Sequence, residues 1–97
     1  MHRFDDIRQW AEARNLIDGS DPKSQMLKLM EEMGELADAI GKGNTGETVD
    51  AVGDMVVVLT IISQQIDFAI EECIEHAWNE IKDRRGRMQG GIFVKET

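Results

Sequence analysis

Apolar residues recur at helical spacing along most of this chain. Phe4, Ile7, Trp10 and Ala11 fall on one side of a helix, which predicts a first helix over about Phe4–Asn15. The stretch Leu16–Pro22 breaks that pattern. Gly19 ends it, and Ser20 or Asp21 can cap a new helix with Pro22 in its first turn. From there Met26, Leu29, Met30, Met33, Leu36, Ala37 and Ile40 make one apolar stripe, a second helix running to about Gly41. The loop Gly41–Gly46, GKGNTG, is the clearest breaker in the sequence.

The segment from about Glu47 to Ile66 is ambiguous in its middle. Met55–Leu59 is valine-rich and would suit a strand on local propensity. Its length and its flanks, which hold Asp50 and Asp54 and no turn signal, decide for a third helix. A helix apolar on most sides must be covered on most sides. A single chain of this size can hardly do so, and the third helix is therefore expected at a subunit interface. A fourth helix, about Phe68–Arg85, carries Ile70, Ile74, Ala77, Trp78 and Ile81. After Gly86 comes a basic tail whose Ile92-Phe93-Val94 suggests a short extended segment. The expectation is an all-α fold: four helices in one domain over residues 1–97, with no internal repeat.

Composition narrows the function classes. Two fifths of the 97 residues are hydrophobic, which argues for a globular core and against disorder. The net charge of −8 disfavours nucleic acid as a general partner. The N-terminus does not resemble a signal peptide, and the longest apolar run, Met55–Ile62, is too short to span a bilayer, so no membrane role is expected. Cys73 is alone, which excludes an intrachain disulfide and suggests a reducing, cytoplasmic setting. It reads as a small buried hydrophobe rather than a nucleophile.

Seven carboxylates lie between Glu31 and Asp54, grouped as EEMGELAD and ETVDAVGD, and the second group runs directly into MVVVLTII. Glu31, Glu32 and Glu35 share a face of the second helix, and Asp50 and Asp54 are one turn apart on the third, with Glu47 a turn earlier. If the glycine-rich loop folds these helices back on each other, the two acidic groups meet near the loop. Carboxylates against an apolar wall are costly unless a positive charge joins them. Oxygen ligands suit a hard divalent cation, Mg²⁺ or Mn²⁺, which keeps open positions for phosphate oxygens. A solvated acidic face would explain EEMGE alone equally well. Asp54, at the mouth of the apolar run, is harder to explain by solubility.

The cations are arranged to match. No Lys or Arg occurs between Gly43 and Ile81, whereas Lys82, Arg84, Arg85, Arg87 and Lys95 crowd the C-terminal end. Asn79, Lys82 and Arg85 recur every third residue on one face. Such a rim beside a metal cluster suits a triphosphate. Favourable placement at a helix C-terminus would account for Lys82 and Arg84 singly, but not for Arg87 and Lys95.

KLMEEMGELADAI, followed after a glycine-rich loop by VDAVGDMVVVL, resembles the MazG-type nucleotide pyrophosphohydrolases of the all-α NTP pyrophosphatase superfamily. The ending EIKDRRGRMQGGIFVKE is similar to the tail of the small, single-domain, phage-type members, and the resemblance covers about Met26–Glu96. It implies Mg²⁺-dependent hydrolysis of a (deoxy)nucleoside triphosphate to the monophosphate and pyrophosphate, in a helical bundle that forms a homodimer or homotetramer through its second and third helices. If the gene is phage-borne, the setting is the host cytoplasm. Glu32 and Glu35 match the family's ExxE motif, with Glu31 preceding them, and Asp54 matches the closing Asp of ExxD. The position three before Asp54 is Ala51 rather than Glu, and Asp50 is expected to stand in for the missing ligand. The implied metal set is Glu32, Glu35, Asp50 and Asp54. Glu31 or Glu35 would orient or deprotonate the attacking water, and Lys28, Asn79, Lys82 and Arg85 match positions used near the phosphates. Neither His2 nor His76 is a good base.

Two other readings remain open at the level of sequence. One is a base-specific dUTP or dCTP pyrophosphatase, or a phosphoribosyl-ATP pyrophosphohydrolase, on the same scaffold; Trp10, Phe68 or Trp78 could stack a base. The other is a non-catalytic, metal-binding helical oligomer that has lost turnover through Ala51.

Overall fold

The computed structural model describes residues 2–96. It holds four helices, α1 (His2–Ala13), α2 (Pro22–Lys42), α3 (Thr45–Gln65) and α4 (Ile70–Ile81), followed by two short strands, β1 (Gly86–Gln89) and β2 (Ile92–Lys95). Asp21 caps α2, its carboxylate accepting from the Ser24 N–H at 2.7 Å, and Pro22 follows in the first turn. That bond holds the Asp21 carboxyl below its ordinary pKa.

The turn between α2 and α3 is tighter than GKGNTG suggests. Gly41 and Gly46 are both helical, leaving only Gly43 and Asn44 between the helices. Gly43 takes φ +68°, its N–H donates to Ile40, and the next N–H, of Asn44, reaches back to Ala39, a glycine-terminated helix end. Asn44 then caps α3 by accepting from the Glu47 N–H at 3.0 Å. With two residues in the connection, α2 and α3 must lie antiparallel, and their packing is the centre of the molecule.

The valine-rich segment is helical, as its flanks argue. Its hydroxyls are satisfied within α3: Thr60 donates to the Val56 carbonyl at 2.7 Å and Ser63 to Thr60 at 2.9 Å. The core is small: Leu29 and Ala39 from α2, Ala51, Val58 and Ile61 from α3, and Ala11 from α1. Helix α1 lies against α3, and the Gln65 side chain fixes the chain after it by donating to the carbonyls of Leu16 and Ile17. His2 is the first residue of α1.

The apolar stripe of α2 proves to be two. Leu29 and Ala39 turn inward, with Leu36 half-buried, while Met26, Met30, Met33, Ala37 and Ile40 stay exposed. Val49, Val52 and Leu59 of α3 are exposed as well. The chain turns through 101° between α3 and α4, and no residue of α4 is buried, so the four helices do not close into a bundle within one chain. Arg8 ties α4 back to α1, its guanidinium donating to both oxygens of Glu71 at 2.6 and 2.8 Å and also pairing with Asp5.

The tail forms a hairpin rather than a single extended segment. Gly86 pairs with Lys95 and Gln89 with Ile92, around Gly90 and Gly91, both at positive φ as a type I′ turn requires. Among the described residues no single helix is long and apolar enough to cross a membrane.

Candidate metal centre

Packing α2 against α3 brings Glu32, Glu35 and Asp54 together. Each can offer one carboxylate oxygen such that all three lie within 4.8 Å of one another. Glu32 is on the inward face of α2 and only 5% exposed, whereas Glu35 and Asp54 are open to solvent. The Lys28 ammonium stands 3.3 Å from Glu32 Oε1, and 3.7 Å from Glu31 one turn along. Glu32 Oε2 is buried with no hydrogen-bond partner.

The electrostatics follow from this crowding. The Glu35 carboxyl is held above its ordinary pKa, first by a hydrogen bond shared with Glu32 and then by the Glu32 charge. Lys28 is raised for the opposite reason, its proton being held first by Glu32 and then by Glu31. A group that destabilises its neighbour's charge while keeping a buried oxygen unpaired lacks positive charge. Three hard oxygen donors with that deficit fit a divalent cation of the Mg²⁺ or Mn²⁺ type.

Beside the trio a cavity of about 420 Å³ opens between the two helices, lined by Glu35, Asp50, Ala51 and Asp54 and, toward the turn, by Asp38, Lys42 and Glu47. Lys42 is engaged there with Asp38 at 2.8 Å, which raises its pKa. Asp50 lies outside the close trio but on the wall of the same cavity. Ala51 lines this cavity, so the position where ExxD has its Glu faces it. Glu31 is exposed one residue from the trio.

The C-terminal cations lie elsewhere. Arg84, Arg85, Arg87 and Lys95 line a cavity of about 740 Å³ formed with Phe93 of the hairpin. Asn79 and Lys82 are exposed on α4 and its end, and none of these groups lines the acidic cavity. His76 is exposed and paired with Glu80 at 3.2 Å. A further feature went unread in the sequence. Asp54 also lines a second, mainly apolar cavity of about 390 Å³ against α1, formed with Asp6, Ile7, Trp10 and Val57. Ile7 and Trp10 belong to the apolar face legible in the sequence of α1, but no local signal shows that this face meets Asp54 and Val57 or brings Asp6 with it.

The sequence profile described as the MazG nucleotide pyrophosphohydrolase domain matches residues 20–88. The chain is also similar to an uncharacterised 18.2 kDa protein from the rep-hol intergenic region of Haemophilus phage HP1 (strain HP1c1), 44% identical over 68 residues. That match takes in 68% of this chain and 42% of the phage protein, so the chain spans less than half the length of that relative. No solved structure matches the chain. The matched region contains both acidic motifs, the tight turn joining them and all of α4, and on this ground the chain belongs to the MazG nucleotide pyrophosphohydrolase family.

Proposed function

We propose that the protein hydrolyses (deoxy)nucleoside triphosphates to the monophosphate and pyrophosphate, with Mg²⁺ or Mn²⁺ as cofactor. The observation that carries this reading is Glu32, a buried carboxylate with an unpartnered oxygen, grouped with Glu35 and Asp54. Glu32, Glu35 and Asp54 would hold the cation, and Asp50, on the wall of the same cavity, would join them directly or through water. When bound, such a cation supplies Lewis-acid polarisation of the phosphate oxygens.

The chain's own groups do the rest. Glu31 or Glu35 orients the attacking water and accepts its proton as oxygen attacks the α-phosphorus. The bond from that phosphorus to the bridging oxygen breaks, and pyrophosphate leaves with the electron pair. Lys28, already raised in pKa among the acids, keeps its charge throughout and offsets negative charge near the phosphates.

Asn79, Lys82 and Arg85 are proposed to reach the phosphates from a neighbouring copy. Self-association has support in the surface. The chain exposes 7339 Å², against about 5,600 Å² for a compact protein of this mass. The excess is roughly twice what each partner buries in a standard interface. Its radius of gyration, 15.8 Å, likewise exceeds the ~12.5 Å of a compact chain of this length. The exposed stripes of α2 and α3 are the proposed contact, in a homodimer or homotetramer.

The test is incubation with Mg²⁺ or Mn²⁺ and a panel of ribo- and deoxyribonucleoside triphosphates, with pyrophosphate assayed separately from phosphate. Monophosphate and pyrophosphate, lost in Glu35→Ala, are the expected products. Metal binding without turnover of any nucleotide would instead mean a non-catalytic metal-binding oligomer.

A further inference from the structure

Two cavities meet at Asp54. One is the acid-walled space between α2 and α3, and the other is the mainly apolar space between α1 and α3. The second is built from Ile7 and Trp10, one face of α1, and from Val57, the residue one turn after Asp54 on α3. Trp10 is 45% exposed although it stands in the space between two helices. An indole left open in this way offers a flat apolar surface to the cavity.

The ring is also fixed in place. The Arg14 guanidinium lies over it at 4.5 Å from the centroid and donates to the Trp10 carbonyl at 3.1 Å. Arg14 does not line the cavity, so it covers the ring from outside and leaves the remainder to the cavity. Besides the backbone and the Trp10 indole N–H, the polar groups lining the space are two carboxylates, Asp54 from α3 and Asp6 from α1. One oxygen of Asp6 accepts from Arg3 at 2.7 Å, and the other is free of any side-chain donor among the described residues.

We infer that this cavity is the nucleobase subsite, and that Asp6 makes it prefer bases carrying an exocyclic amino group over uracil and thymine. The inference rests on the proposed nucleotide chemistry and deepens it. A ligand that is anionic at one end and a flat heterocycle at the other fits the pair of cavities in one orientation only. Its phosphates go to the cation-binding side of Asp54 and its base goes onto Trp10, against Ile7 and Val57. Stacking on an aromatic side chain accepts any base. Asp6 adds the selection, because a carboxylate is an acceptor only. Cytosine and adenine present one amino group to it, and guanine an amino group and a ring N–H. Uracil and thymine have no amino group; their single ring N–H is flanked by two carbonyl oxygens, so a carboxylate that accepts from it is repelled on both sides. Asp6 is half exposed, so the discrimination is expected to be near tenfold and far from the larger factors of a dry site.

Two readouts separate this inference from the reaction itself. The first is the Trp10 indole N–H resonance during titration with cytidine and with uridine, which carry no phosphate and need no metal. Cytidine should move the resonance at concentrations where uridine does not, and Asp6→Asn should abolish the difference. The second is the ratio of kcat/KM for CTP over UTP, expected near ten in the wild type and near one in Asp6→Asn. A wild-type ratio of one, with the Trp10 resonance unmoved by either nucleoside while triphosphates are turned over, would overturn the subsite and leave the reaction standing. A cytidine-selective shift of Trp10 without turnover of any triphosphate would keep the subsite and overturn the reaction.

Discussion

Glu32 concentrates the conflict between stability and function in one side chain. It is buried, one oxygen receives no donor from the chain's fixed N–H and O–H groups, and it raises the Glu35 pKa first by a shared hydrogen bond and then by its charge. Leaving a buried charged acceptor unpaired costs about 1–3 kcal/mol or more, so the metal-free fold carries this group at a loss. Glu32→Gln keeps the shape and removes the charge. The metal-free variant is expected to be more stable than the wild type by ~1 kcal/mol, a rise in Tm of several degrees for a chain this small. The same variant should lose the Tm increase that Mg²⁺ gives the wild type, and its turnover should fall by roughly a hundredfold. Thermal melts with and without Mg²⁺ read the first two effects, and the pyrophosphate assay reads the third. A metal-free Tm below that of the wild type would mean that the ion pair with Lys28 outweighs the unpaired oxygen.

A second residue-scale outcome concerns acid. The Glu71 carboxyl is held down to about 2, first by the Arg8 guanidinium and then by backbone N–H donation at the start of α4. A depressed carboxylate contributes stability above its unfolded pKa, here the ordinary carboxylate value, and loses it as pH falls through the folded value. The α1–α4 tie should therefore be intact above about pH 4.5 and weaken progressively toward pH 2. Glu71→Gln should lower Tm at neutral pH, with the gap to wild type closing as pH drops through that window. A gap that stays constant down to pH 2 would show that Arg8 contributes packing rather than charge.

At the scale of elements, the helices were legible because their signals are local. Asp21-Pro22 starts α2, Asn44 starts α3, and glycine at positive φ ends α2. The glycines at 41 and 46 misled as breakers because they are helical, in a stretch where local composition alone cannot separate a helix end from its neighbour. The ExxE and closing Asp were readable as well, since their spacing puts them on single helix faces. What could not be read was relative placement: that Met26, Met30 and Met33 face outward while Leu29 faces in, and that α4 leaves the pair and takes its cations with it.

The hairpin is the element most exposed to a single change. A Cβ on Gly86 would collide with the Val94 carbonyl oxygen and stand 2.5 Å from Phe93 Cζ, because that ring lies across the glycine. A lone two-stranded hairpin has little stability to spare. Gly86→Ala should open β1 and β2 and expose Arg85–Lys95 to proteolysis, while the helical circular dichroism signal remains. If the C-terminal cations serve the phosphates, kcat/KM should fall with the loss of the hairpin, which also carries Arg87 and Lys95.

The molecule keeps its acidic cluster in one place and its C-terminal cations in another, and its surface is larger than that of a compact chain of this mass. If two copies exchange these parts, each site takes its carboxylates from one copy and its cations from the other, and symmetry makes the arrangement reciprocal. Mixing two inactive variants tests this. In a mixed dimer of Glu35→Ala and Arg85→Ala, one site collects both defects and the other collects neither. Unfolding and refolding an equal mixture should restore about a quarter of the wild-type activity, since half of randomly assorted dimers are mixed and each has one sound site. If each site were complete within one chain, every site would keep a defect and the mixture would stay inactive. Met30→Glu supplies the control for association, since a charge on the exposed stripe of α2 faces its own copy across a symmetric contact. Its mass in light scattering should fall toward the 11.0 kDa of one chain, and the recovery on mixing should disappear with it.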